Sequence, residues 1–294
     1  MTRITRIFID FLWLFIRENP RYPRHPCAME TLEPATLHGD YQRALTMPVF
    51  ALELAGQHWE IKLSDEELEH VHLPLLNEIT RKAAAKTGRY LVLLAGPPGS
   101  GKTTLGVLWA QLAQEYHVPV TVQALPMDGF HFPNAELDVR AISWKGERCL
   151  LRRIKGAPET YDFTRLRCML HELQAGRDVA WPKYDRQLHD PVPDALPVIA
   201  TGVLILEGNY LLLDEPGWRD LVPMADLTIF VECDDALGRE RVLARATRGG
   251  RAYASAAQHY EFTDKPNRIR IMQHRLESDV VLRVESNGRI LRIQ

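Results

Sequence analysis

The chain has few cysteines, and none of them stand close together. Its four cysteines are Cys27, Cys149, Cys168 and Cys233, with no C-x-x-C pair among them. A structural zinc site needs closely spaced ligands and a secreted disulfide scaffold needs many cysteines, so neither is predicted. Scattered thiols are typical of the reducing cytoplasm, and we expect a cytoplasmic protein.

The chain also lacks an excess of charge of one sign, an internal repeat and a low-complexity tract. Lys and Arg number 36 against 38 Asp and Glu, so the formal net charge is −2. Without a basic field, neither nucleic acid nor an anionic membrane surface is an expected partner. The 294 residues are 46% hydrophobic and 25% charged, which is ordinary for a globular protein with a sizeable core.

Long hydrophobic runs are absent, with one short exception near the N-terminus. Residues 7–16 are strongly apolar, but they are too few to span a bilayer and include Asp10. Residues 17–20 are polar where a signal peptide needs small residues for cleavage. We expect no stable membrane insertion and treat residues 1–46 as an extension. It is an interfacial anchor, a helix packed on the body, or sequence upstream of a start at Met29; we favour the last, or loose attachment.

One stretch matches a specific pattern, G-x-x-x-x-G-K-[ST], at residues 96–103. The apolar run before it, 90–95, predicts a buried strand, and the residues after it predict a helix. Glycines let the backbone wrap closely round phosphate groups, and the loop N–H groups then point at the anion. The predicted nucleotide site comprises Gly96, Pro97, Pro98, Gly99, Ser100, Gly101, Lys102, Thr103 and Thr104.

The sequence between the extension and this loop predicts a small accessory region, residues 47–88. Alternating apolar residues on both sides of 55–58 predict a β-hairpin. Ser64 and Glu67 form a capping-box pattern that opens a helix, and Pro74 predicts a kink or a second helix within it. His70 and His72 are interpreted as surface or packing residues because no partner stands at metal-ligand spacing.

Strand and helix patterns alternate from residue 90 onward. Strands are predicted at 91–95, 118–124, 203–206 and 227–232, helices at 102–115, 164–175, 218–222 and 236–247, and a hairpin at 280–293. Such alternation predicts an α/β fold with a mainly parallel central sheet and helices on both faces, the three-layer architecture of P-loop NTPases. Residues 47–294 are then one domain, whose ligands bind at the carboxyl ends of the strands.

Two carboxylates follow predicted strands and suit phosphoryl chemistry. Asp128 stands at the end of the second strand, where a carboxylate can accept the proton of an attacking hydroxyl. Glu207 ends a buried apolar strand in the layout of a Walker B strand, with Glu in place of Asp. Thr103 and Glu207 are therefore the predicted Mg²⁺ ligands.

Two polar and aromatic segments are candidates for a second substrate, although surface loops explain their composition equally well. One covers residues 155–162 and the other residues 181–191. The candidate substrate residues are Lys155, Asp162, Tyr184, Arg186 and His189.

The helix predicted at 236–247 carries arginines on one face. Arg241 and Arg245 are four residues apart, with Arg248 three further on, and Gly249 and Gly250 follow. Such a segment can close over phosphates and neutralise transition-state charge, so we predict a lid at about 238–265. The alternative is a solvated charged helix.

Together these segments resemble one family, the P-loop kinases that include uridine kinase, phosphoribulokinase and type I pantothenate kinase. The resemblance rests on GPPGSGKTT (96–104), MDGFH (127–131), KGAPETYD (155–162), PKYDRQLHDPVPD (182–194) and LEGNYLLL (206–213), and it covers roughly residues 90–275. It is closest to bacterial members described as nucleoside/nucleotide kinase-like proteins.

The resemblance implies an ATP-dependent kinase that uses Mg²⁺ to phosphorylate a hydroxyl of a nucleoside, sugar or pantothenate-like metabolite. It implies that Asp128 is the base-like residue, that Lys102, Arg241 and Arg245 act on the phosphates, and that residues 155–162 lie near the acceptor. It also places a Pro-Asn element, Pro266 and Asn267, near the nucleotide base. The segment 155–162 departs from uridine kinases, so the acceptor does not transfer from the family.

Two other function classes stay open. The first is a nucleotide-dependent switch or NTPase without a small-molecule acceptor. It requires an Asn-Lys-x-Asp motif that recognises the nucleotide base and a D-x-x-G switch motif, and neither occurs at a suitable position in the chain. A non-catalytic nucleotide-binding scaffold is disfavoured by Lys102, Thr103, Asp128 and Glu207 together. The sequence leaves the oligomeric state open, a homodimer included.

Overall fold

The computed structural model of the protein describes residues 48–54, 57–144 and 146–294. The described residues belong to one compact unit, Thr46–Gln294. The predictions for the extension, 1–46, and for the turn at 55–56 lie outside the described residues. Within the described ranges, no helix is both long enough and apolar enough to cross a bilayer.

Twelve strands are defined in the described part of the chain, six of them in three two-stranded hairpins outside the main sheet. In chain order they are β1 (Val49–Leu54), β2 (Gln57–Lys62), β3 (Arg89–Ala95), β4 (Val122–Pro126), β5 (Ala141–Trp144), β6 (Glu147–Leu150), β7 (Ala180–Asp185), β8 (Asp190–Pro197), β9 (Gly202–Gly208), β10 (Leu227–Cys233), β11 (Val280–Val284) and β12 (Ile290–Arg292). The central sheet has the order β12-β11-β10-β3-β9-β4, and only β12 is antiparallel to its neighbour.

Helices cover both faces of this sheet. They are α1 (Leu73–Ala84), α2 (Lys102–Glu115), α3 (Asn134–Leu137), α4 (Phe163–Gln174), α5 (Asp235–Arg248), α6 (Tyr253–His259) and α7 (Lys265–Gln273). Along β3, Val92 and Leu94 join a core with α1, α2 and the β1–β2 hairpin, while Leu91 and Leu93 join a second core with α4. The predicted α/β fold with a mainly parallel, doubly covered sheet is confirmed.

The accessory region has the predicted hairpin, with β1 and β2 paired antiparallel. Both hydrogen bonds of the predicted capping box at Ser64 and Glu67 are present. The helical turn that they open passes through a π-helical turn, Leu68–His72, into α1, where Pro74 occupies the first turn. Pro74 therefore follows directly on the π-helical turn, and the backbone stays helical on both sides of their junction.

His72 is buried, as the packing interpretation predicts. Its side chain is inaccessible to solvent, and Nδ1 accepts a hydrogen bond of 3.1 Å from Nε1 of Trp109, which is also buried. Burial lowers the pKa of His72 to about 4, so the imidazole is neutral at pH 7. His70 is exposed on the same turn.

The C-terminal hairpin, β11 and β12, forms one edge of the sheet and touches the accessory region. The Glu67 side chain accepts a hydrogen bond of 2.8 Å from the N–H of Ile290 in β12. Two ion pairs, Arg289–Glu66 and Arg292–Glu78, join the same two parts of the chain at 2.5 and 3.0 Å. The accessory region is thus packed against the edge of the sheet.

The structure corrects the expectations in two places. Residues 118–121 precede β4 instead of belonging to it, because Val118 N–H bonds to the carbonyl of Ala113 and closes the end of α2, with His117 at a φ of 50°. The segment 181–191, for which a surface loop and a substrate pocket were left equally open, lies in an antiparallel hairpin, β7–β8. The prolines of this segment are compatible with strands because the two-stranded sheet has free edges.

Candidate active site

The loop between β3 and α2 depends on glycine at points of close backbone approach. Gly99 and Gly101 have positive φ angles of 82° and 93°. A Cβ on Gly99 would lie 2.3 Å from the carbonyl oxygen of Gly238 in α5, and one on Gly96 would lie 2.6 Å from that of Val231 in β10. Side chains at these positions would push the loop away from β10 and α5, so the loop geometry requires glycine.

Lys102 and Thr103 open α2 with their side chains directed into the site. Lys102 is buried, and Nζ donates to the carbonyl of Pro97 at 3.1 Å. Burial lowers the pKa of Lys102 to about 8, although Glu207 and Asp128 oppose the shift. Thr103 Oγ1 donates a hydrogen bond of 3.0 Å to Oε1 of Glu207.

Glu207 is buried at the end of β9. The register of β4 on β9 sets Pro126 opposite Glu207, which brings the next turn of the chain, with Asp128, beside it. Burial, followed by the charge of Asp128, raises the pKa of Glu207 to about 7. A nearby cation would reverse this shift because it favours the ionised carboxylate.

The residues present fit a magnesium ion. Thr103 and Glu207 offer a hydroxyl and a carboxylate 3.0 Å apart, and both are the oxygen ligands that Mg²⁺ prefers. No group of three His, Cys, Asp or Glu side chains is arranged to hold a metal in the part of the chain that the structure describes. Few protein ligands suit Mg²⁺, which usually takes its other ligands from water and substrate phosphates.

Asp128 lies in a 3₁₀ turn, Met127–Phe130, directly after β4. The Tyr161 hydroxyl donates to Oδ1 at 3.2 Å, and Arg186 Nη2 lies 3.9 Å from Oδ2. Burial acts to raise the pKa of Asp128, but electrostatic interactions with His131, Arg186, Arg245 and Lys102 outweigh it and hold the pKa below its usual value. The carboxylate is therefore ionised and available to accept a proton.

Aromatic rings line the space next to Asp128. His131 stacks on Tyr161 with ring centroids 3.9 Å apart, and its ring meets the edge of Tyr184 at 5.5 Å. Burial lowers the pKa of His131 to about 4 despite the charge of Asp128. Gly129 packs tightly under β7, since a Cβ there would lie 2.2 Å from the carbonyl oxygen of Pro182.

Lys155 closes the far side of this aromatic group. Its Nζ donates to Asn134 Oδ1 at 2.6 Å and to the carbonyl of His189 at 2.8 Å, and it lies 4.9 Å from the centre of the Tyr184 ring. Burial, with Arg152 as the next cause, lowers the pKa of Lys155 to about 8. Lys155 thus ties the turn of the β7–β8 hairpin to α3.

Only some of the candidate acceptor residues direct their side chains to the space beside Asp128. Lys155, Tyr184 and Arg186 surround the space beside Asp128, and His189 contributes its backbone carbonyl to Lys155. Asp162 instead caps α4, where its side chain accepts a hydrogen bond of 3.0 Å from the N–H of Arg165.

Two of the four arginines on α5, Arg241 and Arg245, are oriented to the phosphate loop. Arg241 Nη1 lies 3.7 Å from the point where a Cβ on Gly101 would stand. Burial is the largest influence on the pKa of Lys102 and of Asp128, and the positive charge of Arg245 acts to lower both. Arg248 turns away and lies 4.0 Å from the centre of the Trp59 ring in β2.

Three residues of this region went unassigned in the sequence. His131 and Tyr161 stand inside the motifs 127–131 and 155–162, so a signal existed but did not distinguish them from their neighbours. Arg268, in α7, is buried and contacts the phosphate loop at the carbonyl of Pro98. Its partners include backbone carbonyls, which leave no mark in a sequence.

Comparison with known proteins decides the family. Residues 91–288 match the model of the Phosphoribulokinase / Uridine kinase family, which is two thirds of the chain. The chain belongs to this family. The assignment made from the motifs is confirmed, and with it the class, a phosphotransferase that acts on a hydroxyl group.

Relatives within the family are similar over most of the domain. The "Uncharacterized protein YggC" of Escherichia coli K12 is 39% identical over 81% of this chain and 96% of its own length. The "Putative uridine kinase C227.14" of Schizosaccharomyces pombe is 32% identical over 66% of this chain and 83% of its own length. The solved structure of a "putative fructose transport system kinase" from Silicibacter sp. TM1040 is 33% identical, with a TM-score of 0.60 over 70% of this chain and 98% of its own.

Proposed function

We propose that this family member transfers the γ-phosphoryl group of ATP to a hydroxyl of a small metabolite, with Mg²⁺ as cofactor. The observation that carries the proposal is the position of Asp128. An ionised carboxylate, oriented by Tyr161, stands beside Glu207 and Lys102 at the carboxyl ends of adjacent strands. A proton acceptor next to a phosphate loop is the arrangement that transfer to a hydroxyl needs.

In the proposed reaction, the acceptor oxygen attacks the γ-phosphorus while its proton passes to Asp128, and ADP leaves with the bridging oxygen. The N–H groups of the loop and Lys102 bind the phosphates, while Arg241 and Arg245 offset charge that develops during transfer. Thr103 and Glu207 would hold Mg²⁺, which would supply positive charge to stabilise the phosphates during transfer. The protein contributes position and electrostatics, with no covalent intermediate.

The acceptor site in this proposal is the space bounded by Tyr184, Lys155 and Arg186. The aromatic rings offer apolar faces, and the two cations offer donors to hydroxyl, carbonyl or anionic groups. Nucleosides, sugars and pantothenate-like alcohols all carry a primary hydroxyl next to such groups. A cytoplasmic location and a homodimer stay predictions, as do the substrate roles of Asp162 and His189.

A coupled ADP-release screen tests the function. Purified protein with Mg·ATP is offered nucleosides, sugars, pantothenate and glycerate one at a time, and each phosphorylated product is identified by mass spectrometry. We expect one class of acceptor to stimulate ADP release, and Asp128→Asn to abolish the stimulation while ATP binding persists.

Two results would contradict the proposal. Hydrolysis of equal rate with every acceptor and with none indicates an NTPase. Full transfer by Asp128→Asn shows that this carboxylate is not the proton acceptor.

A further inference from the structure

Arg268 is a buried cation at a junction of three chain segments. It belongs to α7 and is 3% exposed. Its Nε donates to Asp235 Oδ1 at 2.7 Å, Nη1 lies 3.5 Å from the carbonyl oxygen of Pro98, and Nη2 donates to the carbonyl of Cys233. These partners belong to the first turn of α5, to the phosphate loop and to the last residue of β10.

Two of these segments, the phosphate loop and α5, meet with no side chain between them at one point. The backbone of Gly99 is in contact with that of Gly238. A Cβ added to Gly99 would lie only 2.3 Å from the carbonyl oxygen of Gly238. A Cβ on Gly238 would in turn lie 2.6 Å from Arg268 Nη1. The guanidinium therefore stands directly behind the contact between the loop and α5.

We infer that Arg268 is a positioning residue for the phosphate site. It holds the loop in register with α5, the helix that carries Arg241 and Arg245. A guanidinium has donors in a rigid planar fork, so one group can satisfy acceptors on three segments and set the distances between them. Arg268 itself reaches neither phosphate nor acceptor, because its donors are directed to protein oxygens.

A plain surface ion pair does not explain these contacts. The Asp235 side chain is 90% exposed, and a pair with so exposed a carboxylate contributes little. The two backbone carbonyls are different because they lie in the interior, where loss of their donor leaves them unsatisfied. We expect the loop to shift after such a loss, because the backbone of Gly99 packs directly on that of Gly238 in α5.

A cavity beside Arg268 allows the missing group to be supplied from solution. It has a volume of about 240 Å³, and its lining includes Arg268 and the carboxylates of Asp235 and Glu261. Truncation of Arg268 would extend this cavity towards the carbonyls of Pro98 and Cys233. Guanidinium ion has the shape and donors of the deleted group and can enter by this route.

A second buried arginine provides a matched control. Arg89 stands at the start of β3, at the opposite end of the sheet from the loop, and is 7% exposed. It donates to the carbonyls of Ile199, Leu173 and Arg177 at 2.8, 3.1 and 2.9 Å. Arg89→Ala therefore removes a buried guanidinium with carbonyl partners and leaves the phosphate site intact.

The test measures Mg·ATP binding by calorimetry and thermal unfolding for Arg268→Ala, Arg268→Lys and Arg89→Ala. We expect the Kd of Arg268→Ala to rise about tenfold, as for the loss of a hydrogen bond from a charged group, and the Lys variant to recover only part of this. Millimolar guanidinium chloride should restore most of the lost affinity with saturation, whereas urea and sodium chloride should not. Arg89→Ala should unfold at a lower temperature with an unchanged Kd.

Equal losses of affinity in Arg268→Ala and Arg89→Ala would overturn the inference, because they would indicate general destabilisation. An unchanged Kd in both Arg268 variants, the absence of guanidinium rescue, or failure of both variants to fold even with guanidinium would also overturn it. The consequence for turnover rests on the proposed function, but the Kd does not require an acceptor. A wild-type protein that binds Mg·ATP without transferring phosphate would sink the proposed function and leave this test intact.

Discussion

The hydroxyl of Tyr161 donates a hydrogen bond of 3.2 Å to Oδ1 of Asp128. The tyrosine is 4% exposed and its ring packs against His131 and Tyr210, so it cannot easily turn away. One carboxylate oxygen is thereby occupied, and Oδ2 is the oxygen left for the acceptor, on the side of Arg186. Tyr161 thus fixes the orientation of the Asp128 carboxylate.

Tyr161→Phe should therefore lower kcat about tenfold, the typical effect of losing a hydrogen bond to a charged group. The lost donor had favoured the ionised form of Asp128, so its pKa should rise and the acid limb of the kcat profile should move to higher pH. Steady-state kinetics across the pH range measure both effects. Tyr116→Phe, at the exposed end of α2, is the control, and an unchanged kcat in Tyr161→Phe would refute the role.

Glu207→Gln should raise the Mg²⁺ concentration for half-maximal activity about tenfold, because a neutral amide binds a hard cation less strongly than a carboxylate. The amide oxygen can still accept the 3.0 Å hydrogen bond from Thr103, so the local structure should persist. Magnesium titrations at constant ATP give the measurement. An unaltered magnesium requirement would show that Glu207 is not a ligand, directly or through water.

Gly99→Ala should weaken ATP binding at least about tenfold, because the methyl group would meet the carbonyl of Gly238 in a backbone conformation that disfavours side chains. Gly176→Ala is a matched control, since Gly176 also has a positive φ, 74°, but open space around its Cβ position. Both variants carry the backbone strain and only one carries the clash. Similar ATP affinity in the two would disprove the close-approach argument.

His72 should make the protein less stable in mild acid. Its pKa is about 4 in the folded state against 6.5 when unfolded, so the unfolded chain takes up the proton first. The free energy of unfolding should be fully retained above pH 6.5 and decline towards pH 4, by roughly 3 kcal/mol from this residue.

Denaturant unfolding of His72→Gln at several pH values measures this decline. Glutamine can still accept from Trp109 but does not titrate, so the decline should become shallower. His131, whose pKa is also about 4, keeps its own contribution in the variant. His70→Gln, on the exposed side of the same turn, should leave the decline unchanged, and an equally steep decline in His72→Gln would contradict the prediction.

The part of the site that binds the phosphate donor was predictable because its sequence motifs are local. The motif 96–104 sets both the end of β3 and the start of α2, and the helix predicted at 102–115 has those bounds. The strand order was not predictable, and it is the pairing of β4 with β9 that brings Asp128 beside Glu207. Their proximity depends on contacts between segments about 80 residues apart.

For the candidate acceptor site, the sequence indicated only the two segments involved, because tertiary packing determines how their residues come together. The segment 181–191 carries no alternation that marks a strand, yet β7 packs on the turn after Asp128, where Gly129 meets Pro182. Lys155 is held by one side chain and one distant backbone carbonyl. Interactions of this kind depend on the fold and leave no periodic pattern in the sequence.

The contact between Glu67 and Ile290 also determines which truncated forms of the domain should stay monodisperse. β12 is the last strand of its sheet, and an outer strand with free N–H groups invites pairing with another chain. One such group, that of Ile290, is occupied by Glu67, and ion pairs from Glu66 and Glu78 lie along the same strand. The region before the phosphate loop thus shields the sheet from self-association, and a fragment that starts at β3 would aggregate where the longer chain stays dispersed.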